Sequence, residues 1–410
     1  MIKPKPTDSY GGWRVIHLST GHAGGAGLAA RRLNSGLNDA GVNSTFLALA
    51  KRSFKPKKNE LGIKRNLFRI TLSVVTLKFQ KNFSKKVMFS SWSSNAKRFR
   101  FFFALGKNTN TILHFHNWTN LISEKNLLKL SSRGIKVVLT AHDERIITGG
   151  CHYKFNCSRL NMECSQCPQV KHGWQKKVIR RSKCKKDLEL KHTKNQPVVI
   201  APSNWIANQI EMSSTYESNK IVRISNFLGL EWTHKSHTNN PTVSSRTYLI
   251  GVASMSKNSY IKAGDVVKCL VNLEEVSRNN FEIIFLSEIE SERALPNFWR
   301  KIDALLALSR ADNSPNVIWE ALSFDIPVIS VNVGGIPEIA NSGQLMLLSK
   351  PEDAIKAFVD SEGAQIKQFI DSYNSITRSQ KLKNNDPYSI KSHIDLYLKI
   401  LNQDFKGENR

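Results

Sequence analysis

Short apolar runs alternate with amphipathic stretches along this chain, a pattern typical of parallel α/β sheets. In the first half, the apolar runs predict buried strands at residues 13–18, 44–48, 111–115, 136–141, 197–202 and 221–226. In the second half they predict strands at residues 248–253, 281–287 and 327–333. The stretches at 28–38 and 124–132 are apolar at helical spacing. Strand–helix alternation of this kind predicts doubly wound sheets, which bind ligands at the carboxyl ends of their strands.

Composition restricts the class of protein. A chain of 410 residues with 40% hydrophobic residues is long enough for two to three globular domains. We find no apolar run of membrane-spanning length and no apolar leader at the N-terminus, which favours a cytoplasmic protein. The net charge of +27 favours anionic partners such as nucleotide sugars, lipid diphosphates or a phospholipid surface.

The positive charge is concentrated in residues 51–100, which hold fifteen Lys or Arg residues and one acidic residue, Glu60. Aromatic residues are interleaved with the charges, as in segments that lie on anionic membranes. This predicts a peripheral protein on the inner face of the plasma membrane. A solvated basic surface is the alternative. Nucleic acid is the third possibility, but no binding motif accompanies the charge, and we expect no nucleic-acid partner.

Four of the six cysteines lie within seventeen residues: Cys151, Cys157, Cys164 and Cys167. The last two form a C-x2-C pair, and four thiolates so close together can form a tetrahedral structural zinc site. His152 and His172 are possible substitute ligands. A reducing cytosol argues against disulfides, yet unliganded thiols and redox-labile pairs remain alternatives.

The segment DNSPNVIWEALSFDIPVISVNVGGIPE, residues 312–338, carries the most chemistry. Asp312 and Glu320 stand eight residues apart around a predicted helix start at Pro315 and Asn316. A buried strand follows and ends in Gly334-Gly335. In an α/β sheet, this order places both carboxylates at one crevice beside a glycine loop.

The same segment resembles the donor-site signature of family 4 retaining glycosyltransferases, which have the GT-B fold of two Rossmann-like doubly wound domains facing a central cleft. The loop Gly24-Gly25-Ala26, followed by a helix with Arg32-Leu33, resembles the N-terminal loop of the same family. The segments HFHNW and TAHDE and the cysteine cluster resemble the colanic-acid and exopolysaccharide subgroup. The resemblance implies an enzyme of surface polysaccharide biosynthesis that uses a UDP- or GDP-sugar, with a glycan or polyprenyl-diphosphate-linked acceptor.

The resemblance also implies residue roles. Glu320 would hold the ribose hydroxyls, Asp312 would contact the transferred sugar, and His116 or His142 would lie near the acceptor. The donor would further be bound by Gly24, Gly25, Lys262, Asn316, Gly334, Gly335 and Glu338. Because lysine, loop amides and helix N-termini can stabilise the departing diphosphate, no catalytic metal is expected.

Several departures from the family pattern support an alternative. Ala263 separates Lys262 from Gly264, the arginine that precedes the family lysine is missing unless Lys257 replaces it, and about twenty residues before Asp303 are absent. The alternative is a degenerate, non-catalytic GT-B scaffold that binds membrane or a partner glycosyltransferase. For Asp312, the structural alternative is a helix N-cap.

The predicted domain order follows from these assignments. Residues 1–230 form the N-terminal acceptor domain, which includes the basic stretch 51–100 and a cysteine-rich loop, 149–170. Residues 231–246 are a linker and residues 247–385 the nucleotide-sugar donor domain. Residues 386–410 form a helix that returns to the N-terminal domain.

Overall fold

The computed structural model describes residues 12–49, 55–63, 96–119, 121–213, 215–229, 246–252, 259–286, 295–339, 343–373 and 390–402. Two compact units are present: a first unit of Met1–Gly229 with Ser389–Arg410, and a second unit of Leu230–Tyr388. Most of the basic stretch 51–100, most of the linker 231–246 and Lys257 lie outside the described residues, so these calls stay predictions. No helix in the described part of the chain is both long and apolar enough to cross a membrane.

The first unit contains a seven-stranded parallel sheet in the order β3-β2-β1-β4-β5-β6-β7. Because β2 and β4 flank β1, the sheet has its switch point between β1 and β4. The strands are β1 (Arg14–Ser19), β2 (Asn43–Leu49), β3 (Glu60–Ile63), β4 (Thr111–Asn117), β5 (Lys136–Thr140), β6 (Val198–Ala201) and β7 (Ile221–Arg223).

Helices cover both faces of this sheet. The helices are α1 (Gly25–Asp39), α2 (Ala96–Gly106), α3 (Glu124–Ser132), α4 (Gly173–Lys191), α5 (Asn204–Met212) and a C-terminal helix (Lys391–Leu401). Side chains alternate along each strand, so Val15 and Ile112 face α1 and the C-terminal helix, whereas Leu113 and Phe115 face the opposite core. The C-terminal helix thus completes the core of the first unit, to which it contributes Tyr397.

The second unit contains a five-stranded parallel sheet in the order β12-β11-β10-β8-β9. Its strands are β8 (Tyr248–Val252), β9 (Phe281–Phe285), β10 (Ala304–Ala307), β11 (Val328–Val331) and β12 (Leu345–Leu348). Its helices are α6 (Gly264–Asn272), α7 (Glu274–Arg278), α8 (Leu295–Lys301), α9 (Asn316–Ser323), α10 (Asp353–Val359) and α11 (Ala364–Tyr373). Since β9 and β10 lie on opposite sides of β8, the switch point is between β8 and β10.

Two details of the second unit bear on the sequence predictions. The sequence of the stretch after Lys262 predicts one helix as far as about residue 277, but the structure has two, because Leu273 adopts extended backbone angles between α6 and α7. Between β9 and β10, the described residues hold only α8, in agreement with the shortened sequence there. Two parallel sheets flanked by helices confirm the predicted α/β class.

We expect Tyr397→Ala to destabilise the first unit by about 3–5 kcal/mol, the range for large buried aromatic side chains. Tyr397 is fully buried and its hydroxyl lies 2.7 Å from Nδ1 of His114, so the substitution removes both packing and a polar contact. Calorimetric unfolding measures the change. Asp395→Ala, at an exposed position of the same helix, is the control, and an equal effect of the two variants would contradict this account.

Candidate active site

Two charged side chains meet at the carboxyl edge of the second sheet. Lys262 lies after β8 and two residues before α6, and Asp312 lies in the loop after β10. The Lys262 ammonium donates to the Asp312 carboxylate, and the Ser309 hydroxyl donates to the same carboxylate oxygen at 3.2 Å. Since β8 and β10 flank the switch point, this pair lies where doubly wound sheets bind their ligands.

Gly334, after β11, lies directly against the Asp312 backbone. Its φ is +59°, and a Cβ atom at this position would lie 1.7 Å from the Asp312 carbonyl oxygen. Gly335 has an ordinary φ of −92°. Of the two predicted glycines, Gly334 is therefore the one that must be glycine for the loops after β10 and β11 to come so close together.

The structure contradicts the N-cap interpretation of Asp312. The N-cap of α9 is Pro315, and the Asp312 carboxylate instead accepts from Asn313 N–H at 3.0 Å and from Lys262. The Asp312 side chain is 9% exposed and that of Lys262 is 37% exposed. A buried carboxylate therefore holds a lysine that solvent and ligands can reach.

The remaining predicted donor residues lie on neighbouring elements. Asn316 is the first residue of α9, and Glu320 is buried on the same helix, with 3% exposure. Glu338 is half-buried at the end of a short 3-10 helix, Ile336–Glu338. Their roles toward a ligand stay predictions.

Arg310 supports the site, and sequence reasoning missed it. Its guanidinium donates to the Tyr260 carbonyl at 3.1 Å, to Asp265 at 2.6 Å and to Glu352 at 2.6 Å, and it lies 4.5 Å from the Tyr260 ring centre. These contacts fix the loop that carries Lys262. Asp265 lies 45 residues away along the chain, so no local pattern could have indicated the pairing.

The first unit places a row of histidines at its own switch point. His17 of β1 and His116 of β4 face each other, with His17 Nδ1 3.0 Å from His116 Nε2. His116 Nδ1 is 3.2 Å from Nε2 of His142, which follows β5. His114 lies beside them and contacts Tyr397 and Thr140, each at 2.7 Å. We missed His17, because only its register with His114 in the sheet brings it to this site.

Burial keeps this row neutral. It lowers the pKa of His17 to about 3 and that of His142 to about 4, and it lowers the pKa of His114 and His116 well below the usual value. A neutral imidazole has one donor and one acceptor nitrogen, so the two hydrogen bonds of His116 must run in the same direction along the row. His142 is half-buried, whereas His116 is 4% exposed. His142 is thus the end that a ligand can touch, and His116 orients it.

The segment after His142 ties this row to the cysteine-rich loop. The Asp143 carboxylate lies 2.6 Å from His152 Nδ1 and accepts from Arg145 N–H at 2.9 Å. Glu144 donates its N–H to the His152 carbonyl at 3.0 Å, and its carboxylate accepts from Lys154 N–H at 2.8 Å. His152, a predicted substitute zinc ligand, is therefore engaged with Asp143.

Gly24 and Gly25 begin α1 directly after the loop that follows β1. Gly24 has a φ of +80° and is the N-cap, and no atom lies within 4 Å of a Cβ placed at either glycine. The crowded position is Gly27, where a Cβ would lie 2.4 Å from the Gly21 carbonyl oxygen. The predicted pair thus leaves open space at a helix N-terminus, which can accommodate an anion.

Comparison with known proteins shows to which class of protein this chain is similar. The family "Glycosyl transferases group 1" matches residues 255–363, which include Lys262, Asp312 and Gly334. A protein of Escherichia coli (strain K12) described as "Putative colanic acid biosynthesis glycosyl transferase WcaC" is 26% identical over 301 residues, which cover 60% of this chain and 69% of WcaC. A 41.2 kDa protein of the Klebsiella pneumoniae cps region is 31% identical over 108 residues, which cover 26% of this chain and 29% of that protein.

Solved structures with the same fold are also similar. Anabaena HepE in complex with UDP and glucose superposes with a TM-score of 0.53 and 12% identity, covering 94% of this chain and 99% of HepE. Sucrose-phosphate synthase of Thermosynechococcus elongatus gives a TM-score of 0.56 with 13% identity, covering 95% of this chain and all (100%) of that chain. Together the comparisons confirm the resemblance to family 4 glycosyltransferases and the GT-B fold. The chain is a glycosyltransferase, and they do not favour the non-catalytic scaffold.

We expect the stability of the first unit to fall as the pH is lowered from 7 to about 5.5. The unfolded chain protonates its histidines near pH 6.5, whereas the buried histidines of the folded chain stay neutral, so acid favours the unfolded state. Between pH 7 and 5.5, each such histidine lowers the free energy of unfolding by about 1 kcal/mol. Denaturant unfolding at a series of pH values measures it. His17→Gln should flatten the profile and exposed His192→Gln should not. Equal slopes in all three proteins would contradict the assignment.

Proposed function

We propose that this enzyme transfers a sugar from a UDP- or GDP-sugar to a saccharide or lipid-linked acceptor, with retention of anomeric configuration, in the synthesis of a surface polysaccharide. The observation that carries the proposal is the contact between Lys262 and Asp312 at the switch point of the second sheet. HepE, which shares the fold, is solved with UDP and glucose and with UDP-glucose, and WcaC is assigned to colanic acid biosynthesis. These similarities support the donor class and the pathway class.

The chemistry required is the stabilisation of a departing diphosphate. The bond from the sugar C1 to the phosphate oxygen breaks, and the acceptor oxygen bonds to C1 on the same face. The acceptor proton passes to the departing phosphate oxygen, so no protein base is needed. The Lys262 ammonium and the N-terminus of α6 supply positive potential for the charge that develops on the diphosphate.

The Lys262–Asp312 pair is suited to exchange partners when the donor binds. The Lys262 side chain is 37% exposed, so a donor diphosphate can reach the ammonium, while the hydrogen bonds from Ser309 and Asn313 stay on the Asp312 carboxylate. The donor diphosphate then pairs with the Lys262 ammonium, and the Asp312 carboxylate can accept hydrogen bonds from sugar hydroxyls. Glu320, buried on α9, is assigned to the ribose hydroxyls.

The histidine row of the first unit is assigned to the acceptor. His142 is its accessible end and touches the acceptor hydroxyl, while His116 fixes the ring by the 3.2 Å contact. Because burial keeps both imidazoles neutral, His142 can accept a hydrogen bond without adding charge beside the sugar. This assignment gives His116 a positioning role.

We expect Lys262→Met to lower turnover by about 10²–10³-fold, the cost of one preorganised donor to a developing anion. Glu320→Ala should weaken donor affinity. Lys268→Met, an exposed lysine on α6, is the matched control and should behave like the unchanged enzyme. Released nucleotide measures turnover, and calorimetry measures binding. If turnover and donor affinity are unchanged in both site variants, these residues do not belong to the site. If the unchanged protein binds no UDP-, GDP- or ADP-sugar at millimolar concentration, the result favours the non-catalytic scaffold.

We also propose that the enzyme works on an anionic membrane surface, at the cytoplasmic face of the plasma membrane. The net charge of +27 and the fifteen basic residues between positions 51 and 100 support this.

Cosedimentation with vesicles tests the membrane proposal. Vesicles that contain anionic phosphatidylglycerol should bind the protein, neutral phosphatidylcholine vesicles should not, and raised salt should release it. Equal binding to both vesicle types would contradict the electrostatic attachment, as would a preference for nucleic acid over anionic vesicles.

A further inference from the structure

The cysteine-rich loop encloses a cavity of its own in the first unit. All four clustered thiols line this cavity: Cys151, Cys157, Cys164 and Cys167. They are free thiols, and three of them are buried. Residues spread over seventeen positions therefore converge on one space.

Backbone groups in the loop face the sulfurs as they do around metal-bound cysteines. Gly149 N–H points at the Cys164 sulfur, and Gln169 and Val170 N–H point at the Cys167 sulfur; all three favour the thiolate form. Such donors stabilise thiolates that share a cation.

The loop also adopts costly backbone conformations. Glu163, Cys164 and Gln166 have φ values of 56°, 56° and 48°, in the left-handed region that non-glycine residues avoid. Each costs on the order of 1–2 kcal/mol. Three such residues within four positions need a compensating interaction, and the turn they form directs Cys164 and Cys167 into the cavity.

Positive charge around the cavity matches a thiolate-rich metal centre. Binding one divalent ion by four thiols releases four protons and leaves a centre of charge −2. Buried Lys183 and Lys186, which pair with Asp187 and Glu124, act electrostatically on Cys164. Lys154, which pairs with Glu144, and Arg159 line the cavity, so basic side chains lie around the position of such a centre.

We infer that Cys151, Cys157, Cys164 and Cys167 bind one structural Zn²⁺ ion. The ion fixes the cysteine-rich loop and thereby holds His152 of this loop beside Asp143. Among the described residues, the group of ligand atoms within 4.8 Å of one another is that of His17, His114 and His116, so zinc binding requires the four sulfurs to approach one another within the cavity that they line. Zinc is the divalent ion that four-thiolate tetrahedral sites select.

The buried histidines are a weaker metal candidate. His17, His114 and His116 place nitrogens within 4.8 Å of one another. Both nitrogens of His114 and both of His116 already have hydrogen-bonding partners, which a metal would displace. In the thiol site, by contrast, the hydrogen bonds to the Cys167 sulfur come from backbone N–H groups of Gln169 and Val170, which a metal-bound sulfur can keep.

Metal analysis tests the inference. Protein purified under reducing conditions from zinc-supplemented cells should contain about one zinc per chain, with sulfur neighbours at about 2.3 Å by X-ray absorption. Cys164→Ser should lose the ion, while Cys184→Ser and Cys269→Ser, which change thiols outside the cavity, should keep it. In the unchanged protein, a mercurial reagent should release zinc as the four cavity thiols react, and a chelator should lower the melting temperature.

Three results would overturn the inference. The first is less than about half an equivalent of zinc together with no binding when the reduced, folded apoprotein is titrated. The second is retention of zinc by Cys164→Ser. The third is a disulfide between two of the four cysteines in freshly alkylated protein. The mercurial and chelator measurements use the unchanged chain, so they remain informative if the serine variant fails to fold.

Discussion

The close approach of Gly334 to the Asp312 carbonyl is the contact on which the candidate donor site depends. Any side chain at position 334 would occupy the space of that oxygen, so the loops after β10 and β11 could not meet. The approach fixes Asp312, Asp312 holds Lys262, and Arg310 fixes the loop that presents this lysine. One backbone contact thereby sets the position of both charges that a nucleotide sugar would meet.

The two units use the same geometry for different chemistry. In each, the loops or strand ends at the switch point of a parallel sheet bring together residues that are distant in sequence. The second unit gathers an ammonium and a carboxylate, which suit a diphosphate and a sugar. The first gathers uncharged imidazoles in a hydrogen-bonded row, which suit a neutral hydroxyl. The two sites differ in burial: the buried histidines are neutral, whereas Lys262 is partly exposed.

Sequence patterns predicted the elements well where a local cause forms them. The helix Glu124–Ser132 follows from apolar residues at helical spacing. The kink at Leu273 has no such local signal. Asp312 and Lys262 were recognised through a motif, but Arg310 and His17 act through partners in other strands or loops. Such contacts depend on sheet register, which no single segment encodes.

The return of the C-terminal helix to the first unit has a consequence for synthesis. On the ribosome, residues 12–229 emerge first, yet Tyr397, which contacts His114, emerges only after the whole second unit. The second unit is continuous in sequence, so it can complete its core while the nascent first unit still lacks the helix that covers one face of its sheet. The unit that is translated first is therefore the unit that completes its folding last. Its histidine row becomes fully buried only after the C-terminal helix has been synthesised.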